Sequence, residues 1–551
     1  MIRRIAVVLL LLASACSLAS RDPRARLAAP GAAPGGALTI DIGRPATIDP
    51  ANSFDRWGRF VDSLICDPLI QIDPVTGDLK PAIAESWVVS NGGSQITLKL
   101  RKDVRFANGS TMTADDVVYE LSRVAGQEEA SSVAELLRPI FGFGPFHGDV
   151  KEKNPDELSI FQGVRAIGTY AVQISLDRAR ADFLRVLAHP LSSPVPRATV
   201  TKDEATFETS PDCAGPYHLA HPWHPGDTTI ELVRSPLYYG QNLGFTGGGR
   251  GYADRITLRV SRSAGAKDPL ALPGAARADA APAPDAPAGP GIVTGPAPYL
   301  EYIGLPPAVA PFDRRDVRVA LSEAIDRAAI ARDVYRGIRT PARGFLMPAA
   351  GSLYRPDACG SSAPAAADIA AARRALASAG VRMPPITLSY NPDFNNTALV
   401  TAVAAGWRAA FDVDVKLVAV PWDRYLSNTS DPRTITGPFR MGWQPPYDGP
   451  DPMLAPLFAS ASIGVDNRTL FSDPRFDRAL NREARRSTDD ADLTDRYERL
   501  EDIVCEQMPA IPIVFGGMRY SIRTDRIASA GGSFVDLATG DLLVRELYVH
   551  A

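Results

Sequence analysis

Val104-Arg105-Phe106-Ala107-Asn108-Gly109, followed after Ser110-Thr111-Met112 by Thr113-Ala114-Asp115-Asp116-Val117-Val118, is the stretch on which the reading of this chain turns. Thr113 is placed to cap a helix beginning at Ala114, and the carboxylates of Asp115 and Asp116 then face the positive helix end. Val117, Val118 and Leu121 supply the apolar stripe that such a helix buries. Phe106, like Trp87 upstream, reads as a packing aromatic of a core.

Working outward, Leu38–Ile42, Ile96–Leu100, Thr229–Val233 and Ile256–Val260 alternate apolar and polar residues and read as strands. Asp316–Val334, Ala398–Phe411 and Thr494–Met508 carry apolar residues at three- and four-residue steps and read as helices. Strands and helices mix throughout, so the fold class is α/β. Ala264–Pro298 has the Ala and Pro content of a linker, but about 30 structureless residues inside a compact domain are uncommon, so part of it is expected to be ordered. There is no internal repeat.

At 551 residues the chain is too long for one core and predicts two or three lobes. Hydrophobic residues at 45% and charged residues at 22% fit a globular, water-soluble body. A formal net charge of −4 gives no reason to expect nucleic acid or an anionic membrane surface as partner.

The N-terminus predicts export. Arg3 and Arg4 precede the apolar run Ile5–Leu12, which is far shorter than the roughly 20 residues that span a bilayer, and Ala13-Ser14-Ala15 precedes Cys16. Residues 1–15 read as a signal peptide that resembles a bacterial lipoprotein signal, with Cys16 as the lipid-modified residue. Residues 16–37, rich in Ala, Pro and Gly, then form anchor and tether. Ordinary secretion with a free Cys16 is the alternative. Five cysteines are an odd number, and assigning Cys16 to lipid leaves Cys66, Cys213, Cys359 and Cys505. In an oxidising compartment these can pair, with three connectivities open, and their spacing is unlike a zinc knuckle.

Separate segments resemble one family in register. Thr47-Ile48-Asp49-Pro50, Cys66-Asp67-Pro68-Leu69-Ile70, Ala84-Glu85-Ser86-Trp87, the opening stretch, Ala214-Gly215-Pro216-Tyr217, Ala324-Ile325-Asp326-Arg327, Trp422 with Tyr425, and Pro509-Ala510-Ile511-Pro512 are similar to the extracellular solute-binding proteins of family 5, the dipeptide-, oligopeptide- and nickel-binding components of ABC importers. The resemblance implies a large periplasmic-binding-protein-like two-lobed fold of cluster C type with an extra inserted small lobe. It implies lobe I from 38–76, 206–298 and 509–551, an inserted lobe II over 77–205 and lobe III over 299–508. It also implies capture of a peptide or other polar or partly apolar solute between lobes I and III, delivery to permease subunits, a monomer held to the membrane by lipid alone, and bridges Cys66–Cys213 and Cys359–Cys505. No cofactor or metal is implied, and no enzymatic activity. ATP hydrolysis would belong to partner subunits, since no Gly-x-x-x-x-Gly-Lys-Ser/Thr loop occurs here.

In peptide binders of the family an Asp, lying a few residues after a Trp, receives the ligand's amine. Here Gly442-Trp443-Gln444-Pro445-Pro446-Tyr447-Asp448 puts Pro446 at that place, with Asp448 two residues on. The Tyr390–Asn396 stretch offers no Arg for a ligand carboxylate. Trp443, Tyr447 and Asp448, then Asn391 and Asn395, with Phe54, Arg56 and Trp57 on lobe I, are the candidate ligand residues. Aromatic and amide groups together favour a neutral, larger or polyhydroxylated ligand. His218, His221 and His224 lie within seven residues, but a spacing of three does not put strand side chains on one face, so a surface hairpin end is favoured over a metal site. A secreted hydrolase lacks support, with neither a Gly-x-Ser-x-Gly elbow nor a His-Glu-x-x-His helix. A lipoprotein acting as sensor or scaffold is the other alternative.

Overall fold

The computed structural model describes residues 32–550 except 54, 75, 127–132, 148–160, 181, 243–250, 261–277, 285, 432, 488–489 and 537–538. The signal peptide, Cys16, most of the tether and Phe54 therefore lie outside the described residues. Among those described, no helix is long and apolar enough to cross a membrane.

In chain order the elements that matter are β1 (Ala37–Ile42), α1 (Arg56–Ile65), β2 (Ile70–Ile72), β3 (Leu79–Pro81), β4 (Ala84–Ser90), β5 (Gln95–Leu100), α2 (Ala114–Ala125), β6 (Val164–Gly168) and β7 (Ala171–Ser175). They continue with β8 (Tyr217–Leu219), β9 (Thr229–Arg234), β10 (Arg255–Val260), β11 (Ala280–Pro282), β12 (Ile292–Gly304), β13 (Thr340–Pro341), β14 (Ile386–Tyr390), β15 (Val415–Ala419), β16 (Phe439–Trp443) and β17 (Ala510–Ile522). An eleven-stranded mixed sheet runs β15-β14-β16-β12-β17-β11-β1-β10-β9-β8, with β13 also paired to β17. A separate antiparallel sheet runs β4-β5-β7-β6, and β2 with β3 forms a hairpin.

The alternation read from sequence puts one face of each strand inside. Leu38, Ile40 and Ile42 of β1 and Ile256, Leu258 and Val260 of β10 are buried, and the two strands pair in parallel from Ala37 with Arg255 to Ile42 with Val260. Ile96, Leu98 and Leu100 of β5 pack with Val172 and Ile174 of β7 under α2, whose Val117, Leu121 and Val124 complete that core. Phe106 is fully inside this core and Trp87 half-buried against it. At the start of α2 the Asp116 carboxylate accepts the Thr113 backbone N–H at 2.8 Å, the reciprocal arm of a capping box. From the same helix Arg123 grips Asp49 with two bonds of 2.7 Å and Glu120 at 2.8 Å, which gives Asp49 of the Thr47–Pro50 element a structural task.

Asp316–Val334 is not one helix. An α-helix over Arg315–Glu323 stops, and a new turn starts at Arg327 because the Asp326 carboxylate accepts the Ala329 N–H at 2.7 Å. A side chain able to bond backbone locally competes with continuation of the helix. The Arg327 guanidinium, fully buried, bonds the carbonyls of Pro512, Ser322 and Pro364 at 2.7–3.1 Å. Two disulfides are formed, Cys66–Cys213 and Cys359–Cys505, the pairing that the family resemblance implies. Gly215 follows the first: a Cβ there would lie 2.3 Å from the Ile65 carbonyl, so the turn needs glycine for this close approach.

β12 and β17, each 13 residues long, connect the two halves of the large sheet. Ile292–Ala297 pair with β17 residues Gly516–Ser521, on the side of β11 and β1. Leu300–Gly304 pair with Ala510–Phe515, on the side of β16. Between them Pro298 and Tyr299 bulge out of register opposite Gly516. The linker-like stretch is thus ordered from Ala280 onward as two strands, because β17 and β1 offer ladders that outweigh its Ala and Pro content.

Candidate functional site

At that bulge lies a cavity of about 520 Å³, inside the range of about 300–1,000 Å³ usual for ligand sites. Its walls come from both halves of the sheet. α1 presents Arg56, Arg59 and Ser63, spaced three and four apart on one helix face. The bulge supplies Pro298 and Tyr299, β17 supplies Gly516 and Gly517, and the segment after β16 supplies Gln444–Asp448. The β2–β3 hairpin, Arg185 to Pro190 and part of the stretch from Asp536 to Glu546 close the remainder.

Most charged groups in the wall are paired. Arg56 donates from Nε to Asp541 at 2.7 Å, bonds the Tyr520 hydroxyl and stacks over Trp57 at 4.7 Å. Arg545 pairs with Asp67 at 2.5 Å, and Lys80 with Asp73. Arg339 donates to Glu301 at 2.9 Å and lies over the rings of Tyr335 and Tyr299 at 4.2 and 5.0 Å. Two side chains differ: the Asp448 carboxylate and the Arg59 guanidinium have no hydrogen bond or ion pair among the described residues. They attract each other across the cavity without meeting.

Burial pushes the Asp448 carboxyl up to about 6, against the pull of Arg185 and Arg59, while Asp541 adds to the rise. His189, close to Arg59, behaves oppositely. Burial, and then Arg59, push its ring down to about 3, so it is neutral at any working pH. Its Nδ1 accepts the Leu191 N–H at 3.2 Å, which makes Nε2 the proton-bearing nitrogen. Tyr447 is buried, donates to Asp182 and accepts from Arg180 Nη2 at 3.1 Å.

Of the eight ligand residues expected from sequence, Arg56, Tyr447 and Asp448 line the cavity. Phe54 lies outside the described residues. Four sit elsewhere. Trp57 packs edge-on against Phe60 at 5.8 Å and on the core of β1 and α1. Trp443 is half-buried on the core behind β16, its indole N–H donating to the Pro452 carbonyl at 2.8 Å. Asn391 is buried, donates to Asp393 at 2.9 Å and accepts from Arg440 at 3.2 Å, so its amide closes a loop rather than facing a ligand. Asn395 is exposed ahead of the helix Asn396–Phe411. Asn391 and Asn395 thus lie off this cavity.

Sequence reasoning missed Arg59, His189, Tyr299 and Arg185. Arg59 had a signal, one turn beyond Arg56 on the same helix face. The others reach the cavity through chain segments far apart in sequence, with no local pattern to mark them. Tyr299 fits because its neighbours are glycines: a Cβ on Gly442 would lie 1.8 Å from its hydroxyl oxygen, and one on Gly516 would lie 2.8 Å from its Cβ. For the three histidines, no group of three or more His, Cys, Asp or Glu among the described residues could hold a metal ion. His221 and His224 are exposed beyond β8, and His218 is half-buried within it.

A two-lobed α/β body with a cavity where two long strands cross between its halves defines a class, the binding proteins that enclose a solute. Within it, this chain belongs to the bacterial extracellular solute-binding proteins of family 5, whose middle-region description matches residues 78–464. Among curated relatives, heme-binding protein A of Haemophilus influenzae is 26% identical over 514 residues, covering 85% of this chain and 84% of its own. The periplasmic oligopeptide-binding protein OppA of Escherichia coli is 26% identical over 474 residues, covering 81% and 80%. Among solved structures, the unliganded open form of MppA, a periplasmic murein tripeptide binding protein, superposes with a TM-score of 0.76 at 23% identity, over 96% of this chain and 99% of that one.

Proposed function

We propose that this protein is the capture component of an ABC importer and that its ligand is a short peptide or similar solute with a free ammonium and a free carboxylate. The observation that carries the reading is the opposed, unpaired couple Asp448 and Arg59 in one cavity. Leaving a half-buried charge without a partner is costly. A zwitterion that sets its ammonium on Asp448 and its carboxylate on Arg59 removes that cost at both ends and makes charge-assisted bonds. The name of one relative, the oligopeptide-binding protein, supports a peptide-like ligand. Grip then comes from side chains, with no bond made or broken in the solute.

The halves of the large sheet would act as lobes I and III, pivoting where β12 and β17 cross. On this reading the last boundary between lobes III and I would fall at Gly516 rather than at 509, because β17 pairs with the Leu300–Gly304 part of β12 as far as Phe515. Cys16 would carry the lipid that keeps the body at the outer face of the cell membrane. Fatty-acid labelling of cells should mark the wild type and not Cys16→Ser; equal labelling would remove the anchor.

The test of capture is the pH dependence of binding. Asp448 takes a proton near 6 when free, and a bound ammonium would hold it ionised to lower pH, so acid competes with the ligand. Affinity for free-amine tripeptides should be greatest near pH 7, fall by about tenfold per unit below 6, and fall again above about 8 as the peptide's α-amine loses its proton. His189 contributes nothing there, being neutral. Calorimetric affinities that stay constant from pH 7 to 4.5 would overturn this assignment.

A further inference from the structure

Asp448 is bracketed by two residues that side chains of the inserted lobe help to fix. Tyr447, its neighbour, gives its hydroxyl to Asp182. Three residues on, Asp451 is held by Arg485 at 2.7 Å and by the Tyr497 hydroxyl at 3.0 Å. One side chain touches both brackets: Arg180 Nη2 lies 3.1 Å from the Tyr447 hydroxyl and 3.3 Å from Asp451, while its Nε donates to Asp182 at 3.1 Å. Arg180 and Asp182 follow β7 of the small four-stranded sheet, far in sequence from the segment they hold.

We infer that Arg180 and Asp182 of the inserted lobe are positioning residues for ligand capture, holding Tyr447 and Asp451 so that the Asp448 carboxylate faces the cavity; this rests on Asp448 being the ligand's anchor. The cluster is balanced, two half-buried arginines against two buried aspartates with two buried tyrosine hydroxyls between them. Burial alone would raise the Asp451 carboxyl, but Arg180 and Arg485 hold it below the usual carboxylate range, so it stays charged. Burial, and then Asp182, push the Tyr447 hydroxyl well up, so it stays a donor. Buried networks of this kind rigidify what they join when every member is satisfied. The segment is stiffened by composition, since Pro450 between the two points and Pro445, Pro446 and Pro452 flanking them fix their φ angles. Two held points therefore set the direction of Asp448. Gly449 adds a third contact, as a Cβ there would lie 3.1 Å from the Arg185 side chain and 3.2 Å from the Tyr447 ring. The inserted lobe thus shapes specificity through the segment it pins, beyond the few wall residues it supplies.

Tyr447→Phe deletes one hydroxyl and little else, and Asp182→Asn and Arg180→Lys change the other two partners while keeping their size. Hydrogen exchange on the ligand-free full chain should show the amides of Tyr447, Asp448 and Gly449 exchanging about tenfold faster in Tyr447→Phe, with β4 and β5 unchanged. Affinity for the tripeptide best retained by wild type from an equimolar free-terminus pool should fall about tenfold. The pH midpoint of binding should move down from 6 towards the ordinary carboxylate range as Asp448 reaches solvent. Asp182→Asn should repeat this pattern, and Arg180→Lys should show it in weaker form. A drop in melting temperature with exchange, affinity and pH midpoint unchanged would overturn the inference, because a purely structural cluster gives that result. If wild type retains no tripeptide but exchange at 447–449 responds, the ligand reading falls and the pinning of the segment stands.

Discussion

Asp448→Asn is expected to weaken binding of a free-amine peptide by about a hundredfold or more, because truncating one partner of a desolvated charge pair costs about 2–5 kcal/mol and each 1.4 kcal/mol is about a factor of ten. The same substitution should leave the melting temperature of the free protein unchanged or higher. The sign follows from linkage. The Asp448 carboxyl sits at about 6 in the folded protein, above the roughly 3.9 of an unfolded chain, so its ionisation as pH rises from about 4 through 6 works against the fold. An amide cannot ionise and removes that penalty, while also removing the anchor. N-acetylated peptides, which carry no ammonium, should bind wild type and variant alike, and weakly. Calorimetry and a thermal melt on the same samples check both halves. Equal affinities for the free-amine peptide would show that the ammonium is held elsewhere.

The second large effect is on stability. Replacing Cys359 and Cys505 by Ser should lower the stability of the larger half by about 3–5 kcal/mol. The bridge closes a separation of 146 residues, and a loop of about 100 residues already constrains the unfolded chain by about 4.7 kcal/mol in the chain-entropy account. Both cysteines sit in the core with Phe345, Tyr497 and Val504, so packing is lost as well. Peptide affinity should stay within about threefold, since neither cysteine lines the cavity. Denaturant unfolding followed alongside a binding assay separates the two. An unchanged unfolding midpoint would mean that the bridge adds nothing to the fold.

Local physics was legible in the sequence where it was local in the structure. The capping box at Thr113 and Asp116 and the alternation in β1, β5, β9 and β10 each follow from a few adjacent residues, and the structure contains them. What could not be placed was non-local. Part of Ala264–Pro298 is expected to be ordered despite its linker-like composition, but that Ala280–Pro282 and Ile292–Pro298 are the strands is decided by partners more than 200 residues away that supply their hydrogen bonds. Asp316–Val334 has a helical period, yet Asp326 recaps it midway. At the site, aromatic and amide residues beside a family motif favour a neutral, larger or polyhydroxylated ligand in the sequence, whereas in the fold Trp443 gives its indole N–H to Pro452 and Asn391 its amide to Asp393. Asp448 and Arg59, unpaired among the described residues, are brought to one wall only by the tertiary fold.

Small-angle scattering with and without a retained free-terminus tripeptide tests the central claim most directly. Enclosure between the two halves predicts a smaller radius of gyration when the peptide is present, and no contraction for Asp448→Asn at the same peptide concentration. A profile that does not change although calorimetry shows the peptide bound would contradict it.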